Sequence, residues 1–316
     1  MAQVSGRSIE RPFFFARVQS QPAKSGRIVR AMPGTVHSSI FLRPAVALAG
    51  LLVVVGCASL APPPPEPPPP VAQRVQALLP TNFLLLGEQH DAADHQRIER
   101  EVVEALAAKG ELAALALEMA EQGQSTRDLS PAATEAQVRA ALRWNDTGWP
   151  WQAYGPVVMA AVRAGVPVLG ANLPRARMKD AMEDVSLDAQ LSPVALKAQQ
   201  EAVRSGHCNA LPESQIAPMT RIQIARDRAM AQTLIQAKSP GKVVVLVSGA
   251  GHSPRVVGVP QHLPTDMEVR VVRLVAGEAP SADKGPAVYD ATWLTPALAP
   301  KDYCAEFKAT RPPAGR

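Results

Sequence analysis

Four short apolar runs, Phe83–Leu86, Leu112–Leu117, Val166–Leu169 and Val243–Val247, set the terms on which this chain can fold. Each is too short for a helix buried on all sides and shows no polar alternation, which fits a strand covered on both faces. Helical patterns separate them. Asp94 to Lys109 places Ile98, Val102, Ala105 and Leu106 on one stripe, and Gly110 stops it. Ser130-Pro131 opens a helix through Leu142, and Pro156 starts one to Ala164 that Gly165 ends. Ser192-Pro193 opens a helix to about Arg204, and a long helix runs from about Gln215 to Lys238. Val269–Leu274 is a weaker fifth strand, and residues 275–287 read as a loop. Strands alternating with helices predict an α/β fold, a mostly parallel sheet flanked by helices on both faces.

Polar residues cluster where the strands end. The first run is followed by Gly87-Glu88-Gln89-His90-Asp91, the second by Glu118, the third by Asn172 and Arg175, and the fourth by Gly251-His252. In an open α/β sheet, ligands bind outside the carboxyl ends of the strands. Separate segments thus deliver Glu88, His90, Glu118, Asn172 and His252 to one rim. Two carboxylates and two imidazoles suit a divalent metal ion, or an acid/base pair that activates water. Imidazole also ligates haem iron. The long helix adds Gln223 and Asp227, one turn apart on one face, with Arg226 beside them. Trp149-Pro150-Trp151-Gln152-Ala153-Tyr154 holds two of the four tryptophans and one of the three tyrosines. A loop so rich in rings either lines a flat apolar pocket or packs onto its own domain.

The N-terminal region has a different character. Ile40 to Val55 is almost wholly apolar and ends in Val54-Val55-Gly56-Cys57. It falls short of the roughly 20 apolar residues a spanning helix needs and fits a secretory signal. The small residues before Cys57 resemble a bacterial lipobox, in which the cysteine takes the lipid. The expected organisation is a signal region over 1–56, with Met32 as the true start, then a tether over 57–75 carrying lipidated Cys57. An α/β domain over 76–310 and a tail over 311–316 follow. Residues 61–70 are Ala61 and eight prolines around Glu66, a polyproline II spacer. This places the domain at the cell envelope, most simply lipid-anchored to an outer membrane and facing the periplasm or the cell surface. Residues 1–56 hold seven basic residues and one acidic residue. Without them the chain's 33 basic and 28 acidic residues fall to 26 and 27, so the pI of 9.3 belongs to the signal region. No basic excess remains for nucleic-acid phosphates. Cys208 and Cys304 are then left as a pair in an oxidising compartment, where a disulfide is expected.

The ordered set of motifs resembles the ChaN-like haem-binding uptake lipoproteins of the Tiki/TraB/erythromycin-esterase-like superfamily. It comprises Leu86-Gly87-Glu88-Gln89-His90-Asp91 with Asp94-His95, Leu117-Glu118-Met119, Trp149-Pro150-Trp151 with Tyr154-Gly155-Pro156, and Ala171-Asn172-Leu173-Pro174-Arg175. Gly206-His207-Cys208, Gln223 with Arg226-Asp227-Arg228, and Gly249-Ala250-Gly251-His252 complete it, across residues 80–305. The resemblance implies haem or iron uptake, with haem held between two protomers by Tyr and His. Tyr154 is the tyrosine it favours, and His207 or His90 the histidine. Trp151, Asn172, Arg175, Gln223 and Asp227 are the further cofactor-binding candidates. The wider superfamily implies a metal-dependent or acid/base hydrolase built on Glu88, His90, Glu118 and His252.

Overall fold

The computed structural model describes residues 68–278 and 288–309. The signal region, Cys57, most of the tether, residues 279–287 and the tail lie outside the described residues. The apolar runs become β1 (Phe83–Glu88), β2 (Leu112–Glu121), β3 (Val168–Asn172), β4 (Val243–Gly249) and β5 (Val269–Ala276). With β6 (Ala291–Thr295) they form one sheet in the order β3-β2-β4-β1-β5-β6. Every pairing is parallel. The helices are α1 (Val71–Gln76), α2 (Ala93–Ala108), α3 (Glu135–Ala141), α4 (Trp151–Arg163), α5 (Met178–Glu183), α6 (Pro193–Gly206), α7 (Glu213–Ala237) and α8 (Tyr303–Ala309). The expected fold class is the observed one. Among the described residues no helix is long and apolar enough to cross a membrane.

The two sheet faces follow from the two-residue period of a strand. Leu84, Leu86, Leu115, Leu117, Val245 and Val247 pack with Val75 of α1, Val102 and Leu106 of α2 and Val158 of α4. Phe83, Leu85, Ala114, Ala116, Val244 and Leu246 pack with Met230 and Leu234 of α7. Each large aliphatic side chain so buried contributes about 1.5–3 kcal/mol. The connection from β1 leads across β4 to β2, and the connection from β4 leads across β1 to β5. These adjacent central strands thus send their chains in opposite directions. Their carboxyl ends flank the crevice where such sheets bind ligands.

Several elements differ from expectation, each for a local reason. Residues 71–76 form a helix and not a spacer, because Val71 and Val75 are apolar and buried. The helix expected from Ser130-Pro131 begins at Glu135. Thr134 and Gln137 form a capping box there, while the Ser130 hydroxyl accepts the Ala132 N–H in a turn. Pro156 does not start α4 but lies inside it, since Pro150 caps the helix six residues before. Gln152, whose carbonyl Pro156 leaves without a helical donor, is exposed to solvent.

β6 and α8 went unread in the sequence. The alternation of exposed Thr292 and Leu294 with buried Trp293 and Thr295 makes β6 an edge strand. β2 runs on to Glu121 through an irregularity: Leu117 pairs with Gly170, but Glu121 pairs with Asn172. Strand alternation fails here, because Met119 and Ala120 enter the same core cluster. An irregularity of this kind re-aims side chains. Here it spans the residues beside Glu118. Gly170 accommodates it, since a Cβ there would stand 2.0 Å from the Glu121 carbonyl oxygen.

Candidate functional site

At the crevice, Glu88 ends β1 beside Gly249, the last residue of β4. Glu88 is 2% exposed, and a buried carboxylate needs donors. His90 Nδ1 lies 2.8 Å from Oε1, and the Tyr154 hydroxyl of α4 donates to the same oxygen at 2.7 Å. Gln96 of α2 donates to Oε2 at 3.1 Å and to the His90 carbonyl at 2.9 Å. Glu99, three residues along α2, is fully buried. Burial, and then the Glu88 charge, push its carboxyl well above the usual range. The same two causes, in the same order, raise the Tyr154 phenol far above its ordinary value.

The second half of the site centres on His252. Its Nδ1 lies 2.7 Å from Asp227 Oδ1 of α7, and its Nε2 faces Glu118 Oε1 at 3.5 Å. The other oxygen of Glu118 accepts the Gly249 N–H at 2.7 Å and stands 3.9 Å from His90 Nε2. Burial alone lowers an imidazole's pKa, but Glu118 and Asp227 outweigh it and push His252 up to about 10. Burial likewise raises Glu118, yet His252, His90 and the Gly249 N–H together hold it well below the usual carboxylate range. For Asp227 burial outweighs His252, leaving it at about 6. At neutral pH an imidazolium is thus clamped between two carboxylates. His90 too is raised, because Glu88 and Glu118 overcome its burial. Gly249 permits this packing, since a Cβ would lie 2.7 Å from His90 Nε2.

A groove of about 240 Å³ opens beside Glu118. Met119, Leu142, Trp149, Leu173 and Met178 give it apolar walls, and Arg143, Arg175 and Arg226 also line it. Trp149 links groove and site: its ring meets His90 edge-on at 4.8 Å and Tyr154 at 5.9 Å. Asn172 also lines the groove and donates to the Glu118 carbonyl at 3.0 Å, while the Arg175 N–H donates to Glu121 at 3.0 Å.

The structure brings together Glu88, His90, Glu118, Tyr154, Asp227 and His252, and sets Asn172 and Arg175 on the groove. Gln223 is buried one turn before Asp227, its Oε1 without a hydrogen-bond partner. Two expected iron ligands are committed inside the protein. Tyr154 is 1% exposed and donates to Glu88. His207 is 3% exposed at the end of α6, where its Nδ1 meets the Val203 carbonyl at 2.7 Å and its ring packs on Phe307. Trp151 joins α3 to α4, its indole N–H donating to Glu135 at 2.8 Å, and leaves the groove wall to Trp149. Gln96 and Glu99 were missed, although two polar residues on the apolar stripe of α2 were the signal for them. Arg143 was missed too, with nothing in the sequence to mark it. Cys208 and Cys304 form the expected disulfide. Among the described residues no group of three or more His, Cys, Asp or Glu side chains has metal-holding geometry.

The protein is thus an α/β protein with a parallel sheet, a buried carboxylate–imidazole cluster at its switch point and an arginine-bearing groove beside it. Residues 74–263 match the family model described as haem-binding uptake, Tiki superfamily, ChaN. The match covers more than half of the chain, which therefore belongs to this family. Among solved structures, the one described as cofacial heme binding to ChaN of Campylobacter jejuni shares 23% identity. It covers 66% of this chain and 87% of its own, with a TM-score of 0.57, and so shares the fold. The type III effector HopBA1 shares 16% identity over 72% of this chain and 94% of its own, with a TM-score of 0.37. RRSP, a MARTX toxin effector domain from Vibrio vulnificus, shares 16% over 61% and 34%, with a TM-score of 0.39. No curated protein matches the chain.

Proposed function

We propose that the chain binds haem in the groove beside Glu118 and serves haem or iron uptake at the cell envelope. The observation that carries this reading is the groove lining, which fits a flat amphipathic dianion. Met119, Leu142, Trp149 and Leu173 suit a porphyrin edge, and Arg143, Arg175 and Arg226 suit its carboxylates. Bound haem would supply an iron centre for the uptake role. A groove of about 240 Å³ is below the roughly 300 Å³ at which pockets begin to enclose a drug-sized ligand. A haem seated here therefore keeps one face uncovered, which a second copy of the chain can cover. His90 is the proposed imidazole, because its ring meets Trp149 on the groove wall. Lipid at Cys57 and the proline tether would hold the domain near the outer membrane. Hemin titration of the purified domain, followed in the Soret band with a sizing column, tests the reading. Binding that weakens in Arg175→Ala and Trp149→Ala, with a dimer on loading, is the expected result. The absence of a Soret shift would sink it.

A second reading, a metal-dependent or acid/base hydrolase, is favoured by one observation: Glu118 stands between His90 and His252, with Asp227 behind His252. In this charge state His252 would give up a proton and not accept one. An esterase and peptidase screen, with added divalent metals, tests it. No turnover above that of Glu118→Gln removes it.

A further inference from the structure

The C-terminal helix reaches back to the loop that carries His90. The Tyr303 hydroxyl donates to Asp91 Oδ2 at 2.6 Å and accepts Gln89 Nε2 at 3.1 Å, so it grips the residues on both sides of His90. Gln89 is also held from α2, where its backbone N–H donates to His95 Nδ1 at 3.0 Å. Tyr303 keeps its proton: partial burial and then Asp91 push its pKa up to about 12. What brings α8 here is covalent. Cys304, the next residue, is joined to Cys208 at the end of α6, 96 positions away in sequence, and Phe307 packs on His207. α8 is short and none of its residues is buried, so little apolar burial holds it in place. Tyr303, Cys304 and Phe307 lie beyond the 74–263 segment that matches the family, while Cys208 and the His90 loop lie within it.

We infer that Tyr303 is a positioning residue for the His90 loop, and that the Cys208–Cys304 disulfide keeps it in place. The strap fixes Gln89 and Asp91, the residues on either side of His90, whose ring meets Glu88, Glu118 and Trp149. Reduction by a dithiol would transfer two electrons to the disulfide, yield two protein thiols and oxidise the dithiol. The strap would then part from the loop. The role of this loop in a ligand site rests on the haem reading above, but the positioning itself does not.

The experiment is amide hydrogen exchange on the folded protein, comparing wild type, Tyr303→Phe, and wild type reduced with a phosphine. The Phe variant keeps the disulfide and the ring, and so guards against a misfolded cysteine variant. Exchange at Gln89–Asp91 is expected to rise about tenfold in both perturbed forms, the scale of one lost hydrogen bond to a charged group. The β4 amides should stay unchanged. Unaltered exchange in the loop, or a rise spread evenly over the domain, would overturn the inference. In parallel, hemin is added to the same samples. Weaker hemin binding in the perturbed forms extends the positioning to ligand capture. A wild type that binds no hemin defeats the haem reading alone and leaves the exchange result to decide the strap.

Discussion

Replacing Asp227 with Asn tests the electrostatic account of the site at one atom. The amide keeps the shape and can still accept from His252 Nδ1, now 2.7 Å from Asp227 Oδ1, but the charge is gone. His252 stands at about 10 because two carboxylates outweigh its burial. With Glu118 as the sole carboxylate its pKa should fall to about 8. That change corresponds to about 3 kcal/mol. The sign follows from linkage. A histidine whose folded pKa lies above its unfolded value contributes stability in full below the unfolded pKa of about 6.5, and loses it as pH rises through the folded pKa. The His252 share lost in Asp227→Asn is therefore about 3 kcal/mol near pH 7 and shrinks towards zero by about pH 10. It is offset, because burial holds the Asp227 carboxyl at about 6, above its ordinary value, so its ionisation opposes folding at neutral pH and the amide removes that penalty. The net change at pH 7 should be smaller than the His252 share alone, and the variant should gain on wild type between pH 7 and pH 10. Urea denaturation at pH 7 and pH 10, with an NMR titration of the His252 ring, measures both quantities. A His252 that titrates as in wild type, or a stability difference equal at the two pH values, would refute the reasoning.

Other perturbations probe the rest of the site. Tyr154→Phe removes one donor from buried Glu88 and leaves the ring packed, so it should cost about 2 kcal/mol in urea denaturation, with no new cavity. Gly249→Ala forces a methyl against His90 Nε2 and should cost about 1–3 kcal/mol, while shifting the His90 ring resonances in an NMR spectrum. Acidification should destabilise the domain through Glu118: a depressed carboxylate contributes stability above about pH 4.5 that is lost as pH falls, and Glu118→Gln should flatten that limb of a Tm–pH curve. The double variant Cys208→Ser/Cys304→Ser should lose about 2–4 kcal/mol, read from the midpoint of chemical denaturation.

The central sheet was legible because its signal is local. An unbroken apolar run such as Val243–Val247 has few other uses, and its glycine-rich end marks the turn into a site. The residue types at the strand ends, Glu88, Glu118 and His252, were legible for the same reason. What escaped depended on contacts distant in sequence. β6 is five residues long and owes its place to pairing with β5. The irregularity in β2 exists because β3 packs alongside, and no single residue announces it. Tyr154 illustrates the limit well: its presence near the site was readable, but whether its hydroxyl points at the groove or at Glu88 depends on how α4 lies against β1. Trp149 and Trp151 exchanged expected places for a similar reason, since Pro150 starts α4 between them and turns the two rings to different sides.

The disulfide also has a mechanical meaning. It ties Cys304 to Cys208, so a pull on the end of the chain bypasses β5 and β6 and loads the end of α6 directly. The covalent ring enclosed by the bond contains α7, β4, β5 and β6. The two outer strands are thus shielded from a force applied at the carboxyl end. The amino end has no such bypass: tension arriving there reaches α1 and then β1, the strand that ends in Glu88. A domain held at its amino end would therefore feel strain first at the base of the cluster around Glu88.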